Sequence, residues 1–154
     1  MTKKRIFGLL MTLVMAISLV SIPAYAEEVT LDENIDWLEN YEIWIPKARW
    51  SGTAAITHGM DITGTTGKVG VSYVTSVGSH KVNAYYKIER YVSGRWETYY
   101  TSPTKSGTFN VMLSGMHSLI RGYQYRVVTV GVVYDSAGRY IETVTEPTTS
   151  YLCY

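Results

Sequence analysis

The sequence has few of the residues that stabilise a small protein covalently. It contains a single cysteine, Cys153, the second residue from the C-terminus, so no internal disulfide can form. Stability must therefore come from a hydrophobic core. We interpret Cys153 as part of a frayed C-terminal tail. A free thiol and an intermolecular disulfide through Cys153 are the alternatives.

A strong excess of charge of one sign is also absent, because 14 basic residues face 13 acidic ones. This balance gives no electrostatic footprint for nucleic acid, and we expect no nucleic-acid partner. The distribution is uneven, since residues 27–46 hold seven acidic residues and no basic one. This segment either folds back on the basic remainder of the chain, meets a separate cationic partner, or is simply a solvated leader.

Patterns typical of catalysis and metal binding are missing as well. The three histidines, His58, His80 and His117, lack ligand spacing, and no Gly-x-Ser-x-Gly or phosphate-binding loop occurs. Metal sites, cofactors and catalytic residues are therefore not expected. Histidines and carboxylates brought together only by folding would still permit a small secreted hydrolase, which stays open as an alternative.

Two carboxylates, Glu89 and Glu97, are expected to approach each other across a hairpin. Each has a basic neighbour in the sequence, Arg90 and Arg95. Cross-strand ion pairing therefore explains these charges more simply than a catalytic carboxylate pair does.

The N-terminus has the pattern of a cleaved secretory signal. A basic stretch at residues 3–5 precedes an apolar run at residues 6–20, and Ala24-Tyr25-Ala26 supplies the small residues at a cleavage site. The run is shorter than the ~20 residues of a membrane-spanning helix, so no span is expected after cleavage. Cleavage leaves 128 of the 154 residues. The segment predicts an extracellular protein and fits a bacterial one.

The next segment, residues 27–47, is acidic and rich in aromatic residues. Apolar residues recur in it at near-helical spacing: Leu31, Ile35, Leu38 and Tyr41. Asp32 is a suitable N-cap, and Pro46 would end a helix. The pattern predicts a short amphipathic helix over residues 32–41 of this leader.

The remainder, residues 48–154, reads as one β domain. Its longest apolar run, residues 119–133, alternates with period two and is apolar on both faces from Val127 onward, which predicts a central strand covered on both sides. Residues 48–66 read as edge strands and loops. Further alternating stretches occur at residues 68–77, 82–92, 95–101, 108–113 and 139–145. About seven strands without a long helix predict an all-β fold, an antiparallel Greek-key β-sandwich.

Residues 68–147 resemble a fibronectin type III domain. The pattern Leu119-x-x-Gly122-x-x-Tyr125-x-Val127 is similar to the corner and sixth strand of that family. The resemblance implies that the hydroxyl of Tyr125 bonds back to the preceding turn and that Leu119 packs beneath it. Residues 86–90 with Gly94-x-Trp96, and the exit at residues 145–147, also resemble the family.

The chain departs from the family in three respects. Tyr73 stands where a tryptophan is usual, the proline-rich first strand is missing, and no Arg-Gly-Asp triplet is present. Integrin-type adhesion is therefore not carried over. An immunoglobulin-like or other sandwich of similar strand order stays open as an alternative.

Aromatic residues are the one compositional excess, with four Trp and 14 Tyr. Strand alternation predicts that Tyr86, Tyr125 and either Tyr73 or Trp96 point inward. It places Tyr85 and Tyr91 on the face opposite Tyr86, and makes Tyr99 and Tyr100 face opposite ways. The candidate binding surface consists of Trp37, Trp44, Tyr85, Tyr91, Trp96 and Tyr99.

These features favour a secreted, non-enzymatic binding or interaction module. Exposed Tyr and Trp offer large rigid surfaces with a polar tip, which suit a protein partner or a cell-surface polymer. A face of good strand formers exposed only to solvent is the plain alternative. A structural or assembly subunit is the remaining one.

Overall fold

The structure is a computed structural model that describes residues 38–45 and 51–154. The predicted signal segment and Trp37 lie outside the described residues, as does most of the predicted leader.

Ten strands make up the described chain, which contains no helix. They are β1 (Tyr41–Trp44), β2 (Thr53–Thr63), β3 (Thr66–Thr75), β4 (Lys81–Val92), β5 (Arg95–Thr101), β6 (Lys105–Thr108), β7 (Asn110–Ser118), β8 (Gln124–Tyr134), β9 (Tyr140–Pro147) and β10 (Tyr151–Leu152). Seven of them have seven or more residues, and β1, β6 and β10 are short additions. The predicted all-β fold is confirmed.

The strands form two antiparallel sheets that face each other. The first has the order β1-β2-β3-β7. In the second, β8 and β4 are central, with β9 and β10 beside β8 and with β5 and β6 beside β4. The run at residues 119–133 thus supplies a central strand, β8, as predicted. Val128 and Val130, on the outer face of β8, are buried like the residues on its inner face.

The core lies between the sheets and is filled by alternate residues of the long strands. One cluster joins Met60 and Val71 of the first sheet to Tyr86, Ile88 and Val127 of the second. Burial of these apolar side chains supplies the main favourable contribution to folding.

A second cluster surrounds Tyr73, the residue expected at the usual tryptophan position. Its ring lies against the backbone of Gly131 in the opposite sheet, where an added Cβ would come within 2.1 Å of the ring. Glycine is therefore required at this position of β8 because the two sheets approach closely there. The Tyr73 hydroxyl shares a 2.6 Å hydrogen bond with Thr53 Oγ1, so the buried phenol keeps a polar partner.

The turn before β8 is held by a tyrosine, as expected. The backbone N–H of Ile120 donates to the Tyr125 hydroxyl over 2.8 Å, and that hydroxyl donates to the Ile120 carbonyl over 3.2 Å. Leu119 is buried in the same core cluster as Tyr125. Gly122 has a φ of 82°, a conformation that glycine adopts without strain.

Cys153 is fully buried in the core, so the expectation of a frayed tail is wrong. Its backbone N–H donates to the Tyr123 carbonyl over 3.1 Å, and its carbonyl accepts from the Gly122 N–H over 2.7 Å. The tail is fixed because β10 pairs with the start of β8 beside the tyrosine-held turn. A disulfide to another chain would require this segment to detach first.

The end of the acidic segment is extended instead of helical. Residues 41–44 form β1 and pair with β2, from Tyr41 opposite Gly59 to Trp44 opposite Ile56. The helix predicted over residues 32–41 is therefore wrong from Leu38 onward, and its earlier part lies outside the described residues. The β-branched and aromatic residues of β1 favour a strand once a sheet edge is available to pair with.

Candidate binding surface

A tight hairpin brings two of the candidate aromatic residues together. Strands β4 and β5 are joined by Ser93 and Gly94, whose φ angles are 50° and 86°. Positive φ at both residues of a two-residue loop is typical of a type I′ turn, whose twist matches that of the strands. The turn sets the register so that Tyr91 lies opposite Trp96.

Tyr91 and Trp96 form a tilted aromatic pair on the outer face of the second sheet. Their ring centroids lie 5.1 Å apart with an interplanar angle of 57°. Tyr91 is 40% exposed, and Trp96 is half-buried. Ring pairs of this kind are rigid, so they present a preformed apolar surface to solvent at little further cost in conformational entropy.

An ion pair lies directly against this aromatic pair. The guanidinium carbon of Arg126, on β8, is 4.4 Å from the centre of the Trp96 ring. Arg126 Nε and Nη2 both donate to Glu89 Oε2, over 2.8 and 2.7 Å. Both side chains are partly buried, so the pair is better shielded from solvent than an ordinary surface ion pair. The ion pair fixes Arg126 over the indole ring.

The same outer face continues along β4. Tyr85 and Lys87 precede Glu89 and Tyr91 at alternate positions, and Lys87 Nζ lies 6.0 Å from the centre of the Tyr85 ring. At about 3.4 Å per residue, Tyr85 and Tyr91 lie roughly 20 Å apart. We call this stripe, from Tyr85 to the Tyr91–Trp96 pair with Glu89 and Arg126, the aromatic stripe.

Tyr99 does not belong to the aromatic stripe. The β4–β5 register shifts between Ile88 and Glu89, which makes Tyr99 an extra, bulged residue of β5. Both Tyr99 and Tyr100 consequently pack against the core, and the expectation that they face opposite ways is wrong. The Tyr99 ring lies 5.5 Å from that of Tyr125, and its hydroxyl donates to the Ser118 carbonyl over 2.7 Å.

Trp44 is also separate from the stripe. It lies on β1, in the other sheet, and packs against the core cluster around Tyr73. Trp37 lies outside the described residues. The structure therefore brings together Tyr85, Tyr91 and Trp96, and leaves Trp44 and Tyr99 apart from them.

Sequence reasoning missed Arg126 as a member of this surface. Its position next to the inward-facing Tyr125 already indicates an outward side chain. Its proximity to Trp96 depends on β4 lying between β5 and β8, and on Glu89 pairing with Arg126 in the sheet register. The predicted cross-strand ion pairing is made by Glu89, but with Arg126 and not with Arg90, which lies against the rings of Tyr99 and Tyr123. Glu97 pairs over 2.7 Å with Arg95 of its own strand.

Two of the histidines make separate hydrogen bonds. His58 Nδ1 is 2.8 Å from Thr129 Oγ1 in the core, and burial lowers the pKa of His58 from 6.5 to about 4, although the nearby Glu42 opposes the shift. His117 Nε2 is 2.8 Å from the Tyr86 hydroxyl, and burial lowers the pKa of His117 as well. Both rings favour the neutral form.

The described residues contain no group of three or more His, Cys, Asp or Glu side chains that could hold a metal ion. The most buried carboxylate, Glu142, accepts bonds from the backbone N–H groups of Ser51 and Gly52 and from the Thr53 hydroxyl. These donors attach the start of β2 to β9 across the sandwich. We interpret Glu142 as a structural residue.

No family model matches the chain, and no curated protein is significantly similar to it. Within the described residues, no helix has the length and apolar character needed to cross a membrane.

Proposed function

We propose that the chain is a secreted, non-enzymatic binding module with a fibronectin type III-like sandwich. The strand order supports this, because β2-β3-β7 faces β5-β4-β8-β9, the arrangement expected of that family. The hydrogen bonds of Tyr125 to Ile120 and the burial of Tyr73 in the second of these strands also support it. The signal-like N-terminus supports secretion.

The aromatic stripe is the proposed binding surface, and its partner is a protein or a cell-surface polymer. The observation that carries this proposal is the exposed Tyr91–Trp96 pair with Arg126 fixed against it by Glu89. The rings offer apolar area, and the ion pair offers donors and acceptors beside it. Aromatic anchors next to a shielded charge are typical of the energetically important centre of an interface.

A pull-down with the secreted protein tests the proposal. Insoluble cell-wall polysaccharide and a mixture of secreted proteins serve as separate baits, which distinguishes the two classes of partner. We expect retention on one bait and its loss in Trp96→Ala. Tyr140→Ala is the matched control, because Tyr140 is 62% exposed and lies at the opposite end of the second sheet.

Wild-type protein that is retained on neither bait would contradict the proposal. Equal retention of wild type and Trp96→Ala would place the binding surface elsewhere. Thermal unfolding of each variant separates loss of binding from loss of the fold.

A further inference from the structure

The first sheet ends in an edge strand that lacks the usual protection against pairing. Strand β7 has nine residues, contains no charged residue and no proline, and pairs with β3 without a bulge. Other edges in the described chain are short, as β1 is, or carry charges and a bulge, as β5 and β9 do. Unprotected edges of this length are ready to accept another strand.

The hydrogen-bond pattern shows which residues of β7 face the open edge. Thr75 N–H donates to the Phe109 carbonyl, and Leu119 N–H donates to the Thr65 carbonyl, both in the register of β3 with β7. The odd-numbered residues of β7 therefore form the backbone hydrogen bonds to β3, because hydrogen-bonded and non-hydrogen-bonded residue pairs alternate along two antiparallel strands. Even-numbered residues direct their N–H and C=O groups outward.

Two of the outward carbonyls are already bonded. Lys105 Nζ donates to the Met112 carbonyl over 3.1 Å, and the Tyr99 hydroxyl donates to the Ser118 carbonyl over 2.7 Å. Between them, the outward backbone groups of Ser114 and Met116 have no hydrogen bond to any described residue. The open part of this edge, residues 114–116, therefore offers two hydrogen-bond donors and two acceptors, centred on Gly115. We call these three residues the window.

We propose that this window pairs with the same window of a second copy of the chain. Antiparallel pairing about a two-fold axis at Gly115 places Ser114 of each copy opposite Met116 of the other. All four outward N–H and C=O groups of each copy then form hydrogen bonds. The two backbones come closest where Gly115 of one copy faces Gly115 of the other. A window with this centre is self-complementary, as an interface between identical chains requires.

The side chains fit the same arrangement. Met116 is 76% exposed, the most exposed large apolar side chain of the described residues apart from Tyr154. A depression of about 380 Å³ lies beside it, lined by Lys68, Ser114, Gly115 and Met116. Gly70, the β3 neighbour of Ser114, contributes no side chain there. In the paired state Met116 of one copy lies next to Ser114 of the other and fills this space.

Sedimentation velocity of the secreted protein at concentrations up to about 1 mM tests the proposal. We expect a concentration-dependent dimer. Met116→Lys brings the two new cations diagonally close to each other across the two-fold axis, each beside Lys68 of its own chain, and we expect it to weaken the dimer at least about tenfold. Ile43→Lys is the matched control, because Ile43 is 43% exposed at the opposite edge of the same sheet. It should leave the dimer unchanged.

Ser114→Pro removes one outward N–H without removing a bond to β3, and it should also weaken the dimer. Amide hydrogen exchange gives a readout at single residues. The Ser114 and Met116 amides should exchange more slowly as concentration rises, while those of Leu113 and His117, already bonded to β3, should not change. A monomer at every concentration, or a dimer that Met116→Lys leaves intact, would overturn the proposal.

Discussion

The inner and outer faces of β4 carry similar residue types in very different surroundings. On the inner face, Tyr86 is 2% exposed, its hydroxyl bonds to His117, and burial raises its pKa to about 12. On the outer face, Tyr85 and Tyr91 are partly exposed and lie near the charged side chains of Lys87 and Glu89. Adjacent residues of one strand thus belong to two different environments.

This difference predicts that inner-face residues of β4 determine stability, whereas outer-face residues take part in the proposed binding. The inner-face residues Tyr86 and Ile88 are buried and close-packed, so changing them should alter the free energy of unfolding. Outer-face residues such as Tyr85 and Lys87 are more exposed, so changing them should leave the fold intact.

Ile88→Ala should cost about 4 kcal/mol of stability, because Ile88 is fully buried and its removal leaves a cavity. Lys87→Ala, at the preceding residue, which lies on the outer face, should cost less than about 0.5 kcal/mol. Urea unfolding measures both. A similar loss of stability at the two positions would contradict the distinction between the two faces of β4.

Acid should destabilise the protein through His58. The unfolded chain takes up a proton at this residue near pH 6.5, whereas burial delays uptake in the folded chain until about pH 4. The contribution of neutral His58 to the free energy of unfolding is therefore complete above pH 6.5. It is lost as the pH falls toward 4, which amounts to about 3 kcal/mol for a shift of this size. His58→Asn should lack this part of the pH dependence. Parallel stability profiles for the two proteins would contradict the assignment.

Tyr125→Phe should cost about 1 kcal/mol, because the lost hydroxyl leaves the Ile120 N–H and carbonyl without their partner. The ring itself stays in the core. Thermal unfolding provides the measurement. An unchanged midpoint would show that the hydroxyl does not hold the turn.

Trp96→Ala should cost only about 0.5 to 1 kcal/mol of stability, from the lost contacts with Arg126 and Tyr91. Its effect on binding should be large by comparison. Denaturant unfolding measures the loss of stability. A loss of several kcal/mol would instead make Trp96 part of the scaffold.

Much of the scaffold could be predicted from alternation alone. The period-two pattern placed Tyr86 inward and Tyr85 outward and identified the central strand β8, and the residue types Ser93 and Gly94 located the turn between β4 and β5. Such features are local in sequence, because neighbouring side chains of a strand must point to opposite faces.

Features that depend on contacts between distant residues could not be predicted in this way. The bulge at Tyr99 reverses the alternation within one strand, and β1 exists only because β2 offers an edge to pair with. Cys153 lies in the core because β10 pairs with β8, although its position near the chain end indicated a mobile tail. The ion pair between Glu89 and Arg126 joins residues 37 positions apart.

Chemical-shift mapping by NMR, with the partner from the pull-down added to isotope-labelled protein, locates the binding surface residue by residue. We predict that the Trp96 indole N–H and the amides of Glu89, Tyr91 and Arg126 shift together, while those of the core-facing Tyr86 and Ile88 move little. Shifts confined to the first sheet, or to residues around Trp44, would contradict the assignment of binding to the aromatic stripe.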